Sequence, residues 1–586
     1  MEDKTVNTKF NTNQSIYQAW SAANRENGDV PAIEYFGNVW TFAEIEELID
    51  KYARVFMSLG LTASGDTEEL GTTVSFCVPT LPSTVFGFYA LNKLGITANF
   101  ISKEVLTQGE AEQLAETNTD TLFLFDQFCP AVAEYLSNAV IKNIVLISLS
   151  DDCPNIPEGV PDQLRLALTM SGVEQIKNQN QLPNVNIYSL KDFLSLGDDS
   201  LQVTSYYDAS GERTAVILYT GGSTGLPKGV EKRDREFIAM ANKYPHIPID
   251  LNPSDRNGVF IPPNHPTAFV HSLVVPSFFG TTQVLQPIYN KETFVNDIYN
   301  LKLNLAVAAP SHYATFLLSN LPDGALSSFA YPFTGGEAVS PQLADEVNLA
   351  LSRLGVQNPL IVGYGMSEIG PMTMLSSGDS TLRNKVGKLL PNVEARILDR
   401  DGNKLGVNQR GKLEIKSLDT SMKRYLNKVE LTTDFWTNDG FAKTQDIASV
   451  DENGNYTVYG RANDTFADKN GQEHYLFDIE YFLYENRAVA EAEAVNLTTD
   501  SGDVPVAFVV LKAGVEDNES DIIRRIYTAA RQSLPAEEIP AGIKILEKFG
   551  TNPVSTKRDY ASLKLIREGY LHVNEDGEVV EVGFEL

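Results

Sequence analysis

The sequence predicts an α/β protein: a large N-terminal α/β domain with parallel sheets and crossover helices, followed by a small C-terminal α+β domain. Three observations carry this reading. With 586 residues the chain is too long for one compact core, so at least two domains are expected. From residue 41 onward, short apolar runs alternate with helix-period segments and brief punctuation, the pattern of parallel strands joined by crossover helices. Beyond Asn463 the helix and strand signals describe a smaller α+β segment.

Taken in order, Thr41 and Glu44 form a capping box ahead of an apolar stripe at Ile45, Leu48, Ile49, Tyr52, Phe56 and Leu59, and Gly60 stops that helix. Residues 74–78 read as a strand, 84–94 as a helix closed by Gly95, and 98–101 as the next strand. A helix over 106–117 and a strand at 121–125 continue the alternation. Residues 150–211, rich in Pro, Asn, Asp and Ser, read as a loop-rich connection. Beyond residue 463, Ile479, Phe482 and Leu483 suggest a helix, 504–511 a strand and 522–530 a second helix. From Tyr570 onward, Asp576-Gly577 between two β-rich runs reads as a hairpin.

Composition is that of an ordinary soluble globular protein, with 42% hydrophobic and 21% charged residues. A net charge of −30 argues against nucleic acid or anionic membranes as partners. Any anionic substrate must then be captured by local donors. Cys77, Cys129 and Cys153 share no metal-like spacing and read as reduced thiols of a cytosolic protein. The start, Met1-Glu2-Asp3-Lys4, lacks the apolar run of a signal peptide, and no apolar stretch approaches the ~20 residues of a membrane span. The expected location is cytoplasmic.

Residues 219–230 read Y-T-G-G-S-T-G-L-P-K-G-V and follow the apolar run Ala215, Val216, Ile217 and Leu218, a buried strand. A glycine-rich loop leaving such a strand brings backbone N–H groups close to an anion. Thr220, Ser223 and Thr224 add hydroxyls, and Lys228 adds a point charge suited to phosphate oxygens. A Walker A loop cannot be placed on this stretch. Read in isolation, it is also compatible with a surface loop rich in Gly and Ser.

This stretch resembles the phosphate-binding signature of the adenylate-forming (AMP-binding) enzymes, most like the acyl- and aryl-CoA synthetases. The resemblance implies that Thr220, Gly221, Gly222, Ser223, Thr224, Gly225 and Lys228 bind ATP. Pro262-Pro263-Asn264-His265 is similar to the family element beside the acyl pocket, with His265 at the substrate; a His beside apolar sequence can equally be a core residue. Amino-acid-activating relatives place an Asp nearby, where this chain has Thr267, Ala268 and Phe269, which favours a small carboxylic acid with an apolar body. By the same resemblance Gly336, Glu337 and Ala338 line the adenine slot, Tyr364 and Gly365 lie at the base, Ser367 donates to the α-phosphate and Glu368 holds Mg²⁺. Residues 386–391, V-G-K-L-L-P, also match a family segment. Asp446 and Arg461 would hold the ribose or phosphate, though a surface ion pair is an alternative.

Gln445 stands where the family has Gly in T-G-D, and Asn463 stands at the hinge position, usually Asp or Lys. Lys469 and Gly471 lie on the loop that lines the pantetheine tunnel in CoA ligases. Residues 552–563 resemble the segment bearing the adenylation lysine, which makes Lys557 that lysine, with Lys548 and Lys564 as fallbacks. Residues 1–461 would form the adenylation domain and 462–586 a small mobile cap. The implied activity is ATP- and Mg²⁺-dependent formation of an acyl-adenylate, then transfer to a thiol, most readily CoA. The alternatives are an enzyme that loads the phosphopantetheine of a separate carrier protein, and a nucleotide-binding protein that has lost turnover.

Overall fold

The computed structural model describes residues 9–61, 63, 70–109, 111–136, 141–156, 158, 162–169, 173, 185–206, 211–220, 227–288, 290–376, 385–468, 470–499, 502–512, 514–550 and 558–584. Among these residues a large N-terminal part is built on two extended sheets and a smaller C-terminal part on a third.

In the eight-stranded sheet, Thr214–Tyr219, Thr97–Phe100, Thr73–Cys77, Thr119–Phe125, Asn143–Ile147 and Asn186–Ser189 lie side by side and parallel. Gly229–Arg233 and then Arg424–Tyr425 extend the opposite edge antiparallel. The first three strands are buried along their whole length and the fourth at every residue but Asp120, so both faces are packed and burial does not alternate. Helix Phe42–Ser58 begins on the Thr41–Glu44 capping box and ends at Gly60, whose φ is +71°. Helix Pro82–Leu94 is buried all round, sandwiched rather than amphipathic.

The thirteen-stranded sheet changes character along its width. Thr282–Leu285, Arg256–Val259, Leu305–Ala308, Tyr331–Gly335 and Ile361–Met366 are parallel neighbours. Gly370–Leu375, Lys385–Leu389, Tyr456–Arg461, Ala442–Val450, Gly411–Ser417 and Val393–Leu398 then continue it antiparallel. Phe88, Phe100 and Phe237 meet Phe269 at ring-centroid distances of 5.1, 4.8 and 5.7 Å in the main core.

The C-terminal sheet orders Val489–Thr499, Gly502–Leu511, Ile543–Leu546, Tyr570–Val573 and Val579–Val582, covered by helices Leu476–Tyr484 and Glu519–Ser533. Its core, with Ile479, Leu483, Val509, Ile522, Ile526 and Tyr527, is separate from that of the large part.

Two expectations change, and one segment with no assigned element takes an unusual form. The segment read as loop contributes helix Asp162–Thr169 and the edge strand Asn186–Ser189, too short to show a period by itself. The helix expected over 106–117 is two helices, Lys103–Gly109 and Ala111–Glu116. The apolar run after His265 is a π-helical turn, Phe269–Val274, a form enriched at functional sites.

Candidate active site

Strand Thr214–Tyr219 turns back into Gly229–Arg233, with Tyr219 opposite Gly229. The base of the intervening loop is closed by Thr220 N–H donating to Lys228 O at 3.0 Å and Lys228 N–H donating to Thr220 Oγ1 at 3.1 Å. Gly221, Gly222, Ser223, Thr224 and Gly225 lie outside the described residues. Lys228 Nζ stands 4.8 Å from the Tyr425 ring centroid, within cation–π reach.

Two glycine-rich strand ends meet at the neighbouring sheet. Gly335 is the register partner of Gly363, and a Cβ on Gly335 would fall 2.8 Å from Gly363 O. Gly336, at φ +84°, leads into the exposed Glu337 and Ala338. A Cβ on Gly336 would lie 4.0 Å from Thr267 Oγ1, so this loop adjoins the helix that half-buried His265 caps. The wholly buried histidine of this region is His271, whose Nδ1 shares a hydrogen bond with Tyr244 Oη at 3.0 Å; burial depresses its pKa to about 3, so it is neutral.

Gly365 permits a tight hairpin, since a Cβ there would lie 2.5 Å from Gly370 O. Ser367 and Glu368 occupy its turn. Glu368 is 5% exposed and accepts a hydrogen bond from Tyr425 Oη at 2.5 Å. Burial and that carboxylate together raise the Tyr425 pKa, keeping it a donor. Buried Lys232 braces the same turn, donating to Ser367 O at 3.2 Å and Thr420 O at 3.0 Å while paired with Glu236.

Tyr364 Oη donates to Asp446 Oδ2 at 2.5 Å, and burial followed by the charge of Asp446 raises the tyrosine pKa well above its usual value. Asp446 and Arg461 are register partners on adjacent strands and form an ion pair at 3.2 Å. Arg461 also donates to Thr444 O at 3.1 Å and leaves 52% of its side chain exposed. Gln445 takes φ +62°, the left-handed conformation for which Gly is best suited.

Thus Lys228 and Glu368 meet at Tyr425, with Ser367 beside Glu368 on the same turn, while Tyr364, Asp446 and Arg461 form a second linked group. Lys557 and Lys469 lie outside the described residues. Lys548 is exposed, and Lys564 lines a cavity of about 350 Å³ together with Asn463, Asp464 and Arg567. Gly471, at φ +76°, sits between strands Thr465–Ala467 and Glu473–Tyr475, beside a cleft of about 370 Å³ that carries Asp468, Glu473, Asp478, Glu537 and Glu538. Among the described residues no cluster of three or more His, Cys, Asp or Glu could hold a metal. A lone buried carboxylate beside a hydroxyl nevertheless suits Mg²⁺, which takes its remaining ligands from phosphate and water. Tyr425 and Lys232 were not anticipated. Their partners lie 57 and 135 residues away in sequence, and neither belongs to a glycine-rich pattern.

Glycine-rich turns at strand ends, a carboxylate–tyrosine–arginine group and a separate small α+β unit describe an α/β protein with a polar site at the ends of its strands. Residues 20–426 match the family described as AMP-binding enzyme and residues 478–552 match the AMP-binding enzyme C-terminal domain, so the chain belongs to the AMP-binding enzyme family. It is 27% identical to luciferin 4-monooxygenase of Photinus pyralis over 57% of this chain and 60% of that protein, so the match spans somewhat over half of that relative. Similarity to the long-chain-fatty-acid–CoA ligase of Haemophilus influenzae runs further, at 23% identity over 92% of each chain. In fold it resembles the anthranilate CoA ligase AuaEII in complex with anthranoyl-AMP, with a TM-score of 0.76, 18% identity, and coverage of 95% of this chain and 97% of that one. Among the described residues no helix is long and apolar enough to cross a membrane.

Proposed function

We propose that the chain activates a carboxylic acid with ATP, releasing pyrophosphate, and passes the acyl group from the adenylate to a thiol, with CoA as the acceptor. The observation that carries this reading is the convergence of Lys228 and Glu368 on one tyrosine at the ends of two sheets, a cation and a carboxylate spaced by a single ring. In the first step a substrate carboxylate oxygen attacks the α-phosphorus and the bond to pyrophosphate breaks. Lys228 and the hydroxyls of Thr220 and Ser367 neutralise and orient the phosphates, with Lys557 assigned to the reacting oxygens. Bound Mg²⁺ supplies charge neutralisation across the phosphates. Asp446 and Arg461 hold the ribose, Tyr364 the base, and His265 adjoins the acyl group. In the second step the thiol sulfur attacks the acyl carbon, and AMP leaves as the C–O bond breaks. The domain boundary is placed after Arg461, with Asn463 as pivot and Gly471 on the thiol path.

ATP–pyrophosphate exchange across a panel of carboxylic acids tests the reading. Exchange with at least one apolar acid is expected. Nucleotide binding without exchange for any acid would identify a binding protein that has lost turnover.

One observation favours a second acceptor. The acidic cleft beside the Gly471 hairpin is a poor neighbour for the phosphates of CoA, and a carrier-borne phosphopantetheine brings fewer of them. Supplying preformed acyl-adenylate with CoA or with a phosphopantetheinylated carrier distinguishes the two acceptors.

A further inference from the structure

The turn bearing Glu368 is held by residues 420–425. Thr420 Oγ1 donates to Ile369 O at 2.9 Å, and Met422 N–H donates to Glu368 O at 2.6 Å. Two residues further on, Arg424–Tyr425 pairs with the strand that follows Lys228, setting Tyr425 opposite Val230. Residues 420–425 therefore staple the Glu368 turn to the Lys228 hairpin. Tyr425 is 3% exposed, packs with Val230 and Met422, and meets the Phe435 ring edge-on at 5.9 Å, so its own position is fixed. From that position its hydroxyl reaches Glu368 and its face receives Lys228.

We infer that Tyr425 is a positioning residue for the metal–triphosphate complex: its hydroxyl aims the Glu368 carboxylate and its ring seats the Lys228 ammonium, setting the distance between the two charges before nucleotide arrives. The inference rests on Glu368 being the metal carboxylate. A glutamate side chain left unbraced must lose rotamer freedom when it engages a cation, and a fixed donor removes that cost in advance. One hydrogen bond occupies one of the roughly four lone-pair sites of a carboxylate, so capacity for the metal remains.

The test uses the full chain with α,β-methylene-ATP, which cannot transfer its AMP, and titrates Mg²⁺ by calorimetry. Tyr425→Phe keeps the ring and the lysine contact and removes only the hydroxyl. Its half-saturating Mg²⁺ concentration is expected to rise about tenfold, the scale on which outer hydrogen bonds to a ligand act, together with a lower melting temperature in the absence of metal, because the buried carboxylate loses a donor. Tyr425→Leu is expected to weaken metal-free binding of the analogue as well. Glu368→Gln is the control. If it raises the Mg²⁺ requirement and Tyr425→Phe does not, the positioning role is overturned while the metal reading stands. A fall in metal-free melting temperature without a change in Mg²⁺ requirement also overturns it, since that outcome is purely structural. If neither variant changes the Mg²⁺ requirement, the metal reading fails and takes the inference with it.

Discussion

Tyr364 and Asp446, 82 residues apart, are joined by a hydrogen bond of 2.5 Å from the phenol to the carboxylate. The contact ties the glycine-rich turn at the end of one strand to the ladder that carries Arg461. Removing the hydroxyl in Tyr364→Phe costs Asp446 its buried neutral donor, and a hydrogen bond to a charged group contributes about 1.5–3 kcal/mol. The Michaelis constant for ATP should rise about tenfold or more, with a smaller effect on turnover. Unchanged ATP saturation would separate this pair from nucleotide binding.

Gln445 holds a left-handed conformation next to Asp446, at a backbone cost of about 1–2 kcal/mol for a residue with a side chain. Gln445→Gly should be neutral or stabilising by up to about 1 kcal/mol, because relief of strain is partly offset by glycine's extra unfolded freedom. Gln445→Val, β-branched, should lower the melting temperature. Equal melting of the valine variant and the parent would contradict the positive φ.

In the small domain, Glu480 and Glu493 face one another, and burial raises the pKa of both, most for Glu493. Arg558 is the cation of the group, bonded to Glu493 and Glu491 at 2.6 Å; Tyr484, Tyr560 and Asp464 also face it. A carboxyl whose folded pKa is raised keeps a proton that the unfolded chain releases. Its contribution is complete below the ordinary carboxyl range and is lost as pH rises through the folded value. Thermal unfolding followed from pH 5 to pH 8 should show stability falling, by at most about 1.4 kcal/mol per pH unit for one retained proton. Glu480→Gln should flatten that slope, and a slope equal to the parent's would remove Glu480 from the pair.

Lys557→Ala should abolish adenylate formation and spare thioester formation from supplied acyl-AMP, because the lysine is assigned to the first step alone. Both half-reactions are measured separately. Parallel loss would show that the lysine serves both, or that the fold is damaged.

What the sequence made legible was local. The Thr41–Glu44 capping box, the buried strand before Thr220 and the terminal hairpin pairing Tyr570–Val573 with Val579–Val582 each follow from neighbours within a few residues. The glycine-rich turns could be found because backbone needs are written in residue type. Asn186–Ser189 escaped notice because its strand state comes from the edge it joins. The antiparallel half of the large sheet likewise depends on pairings between distant segments. Tyr425 is one of 24 tyrosines, and only the fold distinguishes it from the others.

Gly335 and Gly363 press peptide against peptide, and a side chain on Gly363 would lie 2.8 Å from the Phe333 ring. A wall built this way offers mutation almost nothing to trim or enlarge. Variation between related chains must therefore arise elsewhere, along faces where residues can be exchanged without parting two main chains. The π-helical turn Phe269–Val274 is no such face: it is wholly buried, with the rings of Phe88, Phe100 and Phe237 against Phe269, so an exchange there disturbs the main core.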